Sequence, residues 1–235
     1  MTGRPKTVFL RGTETELAGP VAAALLARGA TVAVHDAAEF SAQLRTHDLP
    51  GTVLDLGALG PAPDAPFDAL AAQDHRLDAV IHLHMPDAGT DEASLHGFSN
   101  RLRPLMAAAL DHLQRIGSQG IVINQFMMPT LLADSPLASA MVEARNALAA
   151  LTRNACVRYG KSGIRTTALL VGLLDLPSLR ALASERVNAA KTPLGRWITA
   201  DEVAGTLAFL SLDSGYMSGQ MLVLDGGMTG GLNGV

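Results

Sequence analysis

The chain has 235 residues, of which 48% are hydrophobic and 17% are charged, and its formal net charge is -4. This length and composition exclude an intrinsically disordered chain and indicate one large α/β domain or two small ones. The slight acidity, with no basic run, argues against a nucleic-acid-binding protein.

The cellular compartment is indicated by three features of the sequence. Cys156 is the single cysteine, so an internal disulfide is impossible, which is typical of a reducing compartment. Residues 1–6 are mostly polar, unlike a signal peptide. The longest apolar stretch, residues 168–174, is too short to span a bilayer. We therefore expect a cytoplasmic protein that has no membrane partner.

Short apolar segments alternate with helical patterns along the chain. The segments predict strands at residues 7–10, 31–34, 52–55, 78–84, 120–124, 164–171 and 221–224. Helices are predicted between them, among them 97–114 and 139–159, and a Gly- and Pro-rich loop is predicted at 57–66. This alternation predicts a doubly wound parallel sheet of the Rossmann type, with about seven strands flanked by helices, in a single domain over residues 1–235.

The helix after the first strand has recognisable ends. Gly29 is its predicted C-cap, because glycine readily adopts the left-handed conformation that ends helices. Thr13 and Glu16 fit the capping-box pattern, with Thr13 as N-cap and Glu16 three residues later. The sequence therefore predicts a helix that begins near Thr13 and satisfies its own first N–H groups.

The C-terminal segment carries the most specific pattern. Asp201 and Glu202 open an apolar helix, which is followed by a strand over 221–224 between Gly219 and Gly226. As a string, residues 199–227 resemble the C-terminal signature of the short-chain dehydrogenase/reductase family. The resemblance extends over nearly the whole chain and implies a Rossmann-type fold and, in intact members, NAD(P)-dependent oxidoreductase activity.

The catalytic positions of that family are mostly substituted here. The family uses a Tyr, a Lys four residues later, a Ser and an Asn. Alignment on residues 147–152 places the following residues at the Asn, Ser, Tyr and Lys positions, in that order: Asn100, Met128, Met141 and Arg145. Methionine can neither donate nor accept a catalytic proton. The chain contains no Tyr-x-x-x-Lys at either of its tyrosines, Tyr159 and Tyr216. No catalytic residue is therefore assigned.

The family's glycine-rich cofactor turn, Thr-Gly-x-x-x-Gly-x-Gly, corresponds to residues 11–18. Gly12 matches the first glycine, whereas Glu16 and Ala18 stand at the other two glycine positions. A carboxylate about 4 Å from a phosphate oxygen costs about 4 kcal/mol at an effective dielectric constant of about 20, on the order of a thousandfold in affinity. Arg11 could offset part of this charge.

The adenosine half of the site is better preserved. Asp36 falls where NAD-preferring members bind the ribose hydroxyls, and Asp55 falls where the family has an Asp near adenine. Either residue could equally be a solvated strand-end carboxylate. The family's Asn-Asn-Ala-Gly run is replaced by residues 82–85. Gly12, Asp36 and Asp55 are thus the residual cofactor positions, and we expect NAD(P) to bind only to an active partner.

Two histidines offer other chemistry. His82 and His84 are two residues apart on a predicted strand and so share a face. With Asn124, Gln125 or Glu143 they could form an acid–base or metal site. A third convergent metal ligand is not identifiable, so we favour hydrogen-bonded histidines at a strand end and expect no metal.

Three functional hypotheses follow. The favoured one is a non-catalytic subunit paired with an intact family member, since mixed pairs exist among relatives, such as the dehydrogenase of the anaerobic benzylsuccinate pathway. A homo-oligomer is the alternative assembly. The second hypothesis is a cofactor-independent cyclase, lyase or isomerase, whose pocket would contain His82, His84, Asn100, Glu143 and Arg145. The third is a nucleotide-sensing protein that uses Asp36 and Asp55.

Overall fold

The central sheet is described by a computed structural model that covers residues 4–59, 62–87, 89–129, 135–183 and 192–230. Within these ranges seven strands pair in parallel, in the order β3-β2-β1-β4-β5-β6-β7. They are Thr7–Arg11 (β1), Thr31–Val34 (β2), Thr52–Asp55 (β3), Leu77–His84 (β4), Ile121–Met127 (β5), Arg165–Val171 (β6) and Gln220–Leu224 (β7). The predicted doubly wound sheet is confirmed.

Helices cover both faces of the sheet, as buried parallel strands require. They are Ala18–Leu26 (α1), Ala38–Arg45 (α2), Ala65–Ala72 (α3), Glu92–His96 (α4), Phe98–Arg115 (α5), Ala138–Tyr159 (α6), Pro177–Leu182 (α7) and Ala200–Leu212 (α8). The predicted long helices correspond to α5 and α6 within one residue at each end. No helix in the described ranges is long and apolar enough to cross a membrane.

The central strands hold the core because apolar side chains predominate in them and are buried. In β1 the residues from Val8 to Leu10 are at most 1% exposed, and Ile121 to Ile123 in β5 are fully buried. The strand order reverses between β1 and β4. In doubly wound sheets a ligand crevice opens at this point, beyond the carboxyl ends of the strands. The fold therefore positions a cleft beside Arg11 and His84.

The ends of two elements agree with the sequence patterns. Gly29 has a φ of +73°, and the Ala30 N–H donates to Leu25 O, so the first helix ends in the predicted left-handed turn. Thr199 and Glu202 form a capping box at the start of α8. Residues 200–212 and 220–224 confirm the predicted C-terminal helix and strand.

The predicted start of the first helix is wrong. The helix begins at Ala18 with Leu17 as its N-cap, and no side chain caps it. Residues 13–17 form turns, in which Thr15 Oγ1 donates to Gly12 O at 2.8 Å. The capping box at Thr13 and Glu16 does not form, because the left-handed Gly12 turns the chain before the helix can start.

Four further helices, α2, α3, α4 and α7, have no individual prediction in the sequence. In α2 only Ser41 and Leu44 are buried, and in the five-residue α4 only Leu95 is buried. Such short helices leave too few apolar positions for a periodicity. The predicted 57–66 loop ends at α3, which begins at Ala65 with Pro66 in its first turn, a position that proline favours. Residues 60 and 61 of that loop lie outside the described ranges.

Candidate functional site

The turn after β1 is held tightly against the end of β4. Gly12 has a φ of +92°, and a Cβ built on it would lie 2.7 Å from Leu83 O and 2.9 Å from Leu83 Cβ. Contacts this short are prohibitive for any other residue. Gly12 is therefore required by packing as well as by its place in the turn.

Glu16 connects this turn to the start of α7. Its Oε2 accepts a hydrogen bond from Ser178 Oγ at 3.0 Å, at the start of α7. No ion pair between Arg11 and Glu16 exists in the described part of the chain. The offset expected from Arg11 therefore does not take the form of an ion pair.

Arg11 instead belongs to a polar chain at the ends of β1 and β2. Its Nη1 lies 3.4 Å from His35 Nε2, and His35 Nδ1 lies 2.7 Å from Asp36 Oδ2. A guanidinium can only donate, so His35 accepts at Nε2 and donates from Nδ1 to Asp36. The His35 ring thus links the cation to the carboxylate.

Asp36 is held in an uncommon backbone conformation, with a φ of +50°. Its Oδ2 accepts from His35, and its Oδ1 accepts from the Leu59 N–H at 3.2 Å. Asp55 behaves differently, since its Oδ1 accepts from the Gly57 N–H at 2.9 Å within the same loop. Both predicted adenosine-side carboxylates are therefore engaged in hydrogen bonds within the protein.

The two histidines of β4 form a polar floor beneath the cleft. The His82 ring is 1% exposed, and its Nδ1 lies 2.9 Å from Asn124 Oδ1. The His84 ring packs edge-on against Phe98 at 5.1 Å, and its Nε2 is buried without a partner in the described part of the chain. Their ring centroids are 6.0 Å apart. The prediction of hydrogen-bonded strand-end histidines is right for His82 and wrong for Nε2 of His84.

Both rings are neutral near pH 7. Burial lowers the pKa of His82 from 6.5 to about 4, against the Asn124 hydrogen bond, which raises it, and with a smaller lowering by Arg11. Burial, then the neighbouring His82 and the cations Arg11 and Arg101, lower the pKa of His84 to about 3. The floor is therefore an uncharged polar surface in a positive field.

The aligned catalytic positions hold no proton-transfer group. Met128 is 6% exposed and follows β5, and Met141 is 1% exposed on α6. Arg145 is half-buried, with Nε buried and unpartnered in the described ranges and Nη1 3.4 Å from Asn146 Oδ1. Asn100 is exposed on α5. Apolar packing thus occupies the Ser and Tyr positions.

Of the other residues expected around the histidines, only Gln125 contacts one in the described part of the chain, since its Oε1 accepts from the His84 backbone N–H at 3.2 Å. Glu143 is exposed and pairs with His96 at 2.9 Å. The clefts beside His82 and His84 have none of Asn100, Glu143 and Arg145 in their linings. No group of three or more potential metal ligands occurs among the residues that the structure describes.

Two adjoining clefts lie over this floor. The larger, about 300 Å³, is lined by Arg11, Gly12, Glu14, His35, Asp36, His82, His84, Phe98 and Arg101, among others. The smaller, about 200 Å³, shares Glu14, His84, Phe98 and Arg101 and extends to Phe126 and Met141. Sequence patterns gave no indication of Phe98 or Arg101, because their helix face becomes visible only once α5 is placed against β4.

Comparisons with known proteins identify the fold family. A family model described as Enoyl-(Acyl carrier protein) reductase matches residues 13–229. The chain belongs to the short-chain dehydrogenase/reductase family. It is 26% identical to the L-fucose dehydrogenase of Bos taurus over 242 residues, which cover 94% of this chain and 88% of that protein.

Two other similarities concern half of the chain and its fold. It is 37% identical to the cis-4-hydroxycyclohexanecarboxylate dehydrogenase of Sinomonas cyclohexanicum over 125 residues. These residues cover 52% of this chain and 49% of that protein. The fold is similar to a gluconate 5-dehydrogenase of Burkholderia cenocepacia, solved with NADP and tartrate, with a TM-score of 0.77 at 22% identity, covering 96% of this chain and 95% of that one.

As a short-chain dehydrogenase/reductase, the chain keeps two positions of the family's dinucleotide site. Gly12 preserves the first turn, and Asp36 preserves the ribose position. Glu16 places a carboxylate where the second glycine of the family admits a diphosphate. The residues present do not suit a diphosphate, since the Glu16 carboxylate repels it.

Proposed function

We propose that this chain is a non-catalytic subunit of a short-chain dehydrogenase/reductase assembly, which stabilises an intact NAD(P)-dependent subunit. The observation that carries this proposal is the burial of Met128 and Met141 at the Ser and Tyr positions. Carbonyl reduction needs a group that exchanges a proton near neutral pH. Neither thioether can do so.

The cofactor turn supports the same proposal. The Glu16 carboxylate lies at the diphosphate position and is held by Ser178. Asp36 directs its oxygens to His35 and Leu59. We infer that this subunit binds no dinucleotide and that NAD(P) binds to the partner.

A surface suited to assembly lies at the β7 edge of the sheet. Phe209 on α8 is 47% exposed, Val223 on β7 is 44% exposed, and Leu194 is 67% exposed. Phe209 and Leu194 line a groove of about 480 Å³ between α8 and the end of β7. Exposed apolar side chains around a groove mark protein–protein contact sites. We assign this surface, the α8–β7 face, to the contact with the partner.

Several relatives are named as dehydrogenases, and these names support an active dehydrogenase as the partner rather than activity in this chain. The reaction of the partner is inferred from the family, whereas this chain lacks the proton-transfer residues at the aligned positions. The alternative, a cofactor-independent enzyme that uses His82, His84, Asn100, Glu143 and Arg145, has less support. Glu143 pairs with His96 at the surface, and Asn100 is exposed.

Native mass spectrometry of the untagged protein from its own source tests this proposal. We expect a complex in which this 24.4 kDa chain is bound to an unequal subunit that contains Tyr-x-x-x-Lys. Turnover with NAD(P) should follow the partner and should be absent from this chain alone. A homo-oligomer, or reduction of NAD⁺ by the isolated chain with an alcohol substrate, would overturn the proposal.

A further inference from the structure

The floor of the larger cleft presents a hydrogen-bond acceptor that the protein does not use. In the observed orientation of the Asn124 amide, its Oδ1 faces His82 Nδ1, so Nδ1 carries the proton and Nε2 keeps its lone pair. Nε2 has no partner in the described part of the chain, and the ring lines the cleft although the residue is 99% buried, with 1% exposed. Because the ring lines the cleft, a ligand there can donate a hydrogen bond to this acceptor.

The surroundings of this acceptor favour a negatively charged ligand. Arg11 contributes to the pKa shifts of both His82 and His84, and Arg101 contributes to that of His84, whereas no carboxylate contributes to either. The carboxylates of the lining, Glu14 and Asp36, are exposed. The positive field therefore dominates at the floor of the cleft and the negative groups lie towards its mouth.

Arg101 is more available to a ligand than Arg11. Its Nη2 donates to Ser94 O at 2.6 Å, which fixes the guanidinium over the cleft and leaves other N–H groups for a ligand. Arg11 is less available because it donates to His35. Phe98 adds an apolar wall against the His84 ring. The site thus combines one acceptor, one oriented cation and one aromatic wall.

We propose that the cleft over His82 binds a small hydroxylated carboxylate, with its hydroxyl donating to His82 Nε2 and its carboxylate held by Arg101. A volume of about 300 Å³ is at the lower end of small-molecule sites, about 300–1,000 Å³, and suits a single ring better than a dinucleotide. The site gives this subunit a ligand of its own in the space where intact members hold cofactor.

The probes for this site are 3-hydroxybenzoate and 4-hydroxybenzoate, with benzoate and benzyl alcohol as partial ligands. Each is titrated to millimolar concentration into protein labelled with ¹⁵N at histidine, and the His82 resonances are followed by NMR. We expect a hydroxybenzoate to shift His82 and to bind about tenfold more tightly than benzoate, which lacks the hydroxyl, or benzyl alcohol, which lacks the carboxylate. No shift with either hydroxybenzoate, or equal binding of all four compounds, overturns the proposal.

Two variants localise the binding. Arg101→Gln should weaken hydroxybenzoate binding at least about tenfold, whereas Arg103→Gln, on the same helix and also exposed, should not change it. His82→Phe should remove the preference for the hydroxyl. Unchanged binding in the folded Arg101→Gln protein contradicts the site even if His82→Phe does not fold.

Competition separates this proposal from the one above. If NADH displaces the hydroxybenzoate, the proposed ligand site is supported. The same result refutes the proposal that this subunit binds no dinucleotide. The partner assignment is tested by mass spectrometry alone, so it can fail while ligand binding is retained.

Discussion

Ser178 and Glu16 lie 162 residues apart in the chain and are joined by a hydrogen bond of 3.0 Å. This contact connects the start of α7 to the turn after β1. In the family this turn approaches a diphosphate through glycines, and here it holds a carboxylate. This bond therefore holds the turn at a second point, besides the packing of Gly12 on Leu83.

Neutralising Glu16 should improve binding of a dinucleotide. The charge costs between about 1 kcal/mol in a water-like dielectric and about 4 kcal/mol near a protein surface, so Glu16→Gln should bind NADH roughly five- to a thousandfold more tightly. NADH fluorescence titration measures this change. Asp201→Asn, which removes an exposed carboxylate from the first turn of α8, is the control and should leave the affinity unchanged. Equal affinities of wild type and Glu16→Gln would show that Glu16 does not exclude the cofactor.

Gly12 and Gly19 offer a matched pair for testing the packing of the turn. Gly12→Ala should destabilise the protein by about 2–4 kcal/mol, because its φ is +92° and its Cβ would meet Leu83. Gly19→Ala should be neutral or stabilise by up to about 1 kcal/mol, since Gly19 lies in α1 with no atom within 4 Å of a built Cβ. Urea unfolding of both variants measures the free energies. Similar values for the two variants would contradict the close approach to Leu83.

The sequence was sufficient for the sheet because each strand is a continuous apolar run of its own. It was insufficient for the site, whose key contacts join distant residues. Asn124 meets His82 across 42 positions, through the pairing of β4 with β5. Thr13 and Glu16 satisfied a local capping rule, yet the tight packing of Gly12 on Leu83 shaped the turn. Local patterns cannot include such tertiary contacts.

Stability should fall on mild acidification because of His82. Its pKa is lowered from 6.5 to about 4 in the folded protein. As the pH falls, His82 therefore takes up a proton at a higher pH in the unfolded chain than in the folded protein. The contribution is fully present above about pH 6.5 and is lost as the pH falls towards 4. At about pH 5 the loss from His82 is on the order of 2 kcal/mol.

Urea unfolding near pH 7 and pH 5 checks this dependence. His82→Phe should be less stable near neutral pH, because Asn124 loses its partner, but should show a smaller decrease on acidification. His47→Gln, at an exposed position, should keep the decrease of the wild type. An identical pH dependence in His82→Phe would rule out His82 as its source.

The α8–β7 face should determine association with the partner. Phe209→Ser removes an aromatic side chain that lines the groove, and truncation of an aromatic hot spot costs about 2 kcal/mol of binding free energy or more. The dissociation constant of the complex should therefore rise about thirtyfold. Phe209 is 47% exposed, so the fold of the isolated chain should tolerate this change. Val157→Ser, on the surface of α6 with 83% exposure, is the matched control. Sedimentation of the reconstituted pair measures both variants. A larger loss with Val157→Ser would move the contact from the α8–β7 face to α6.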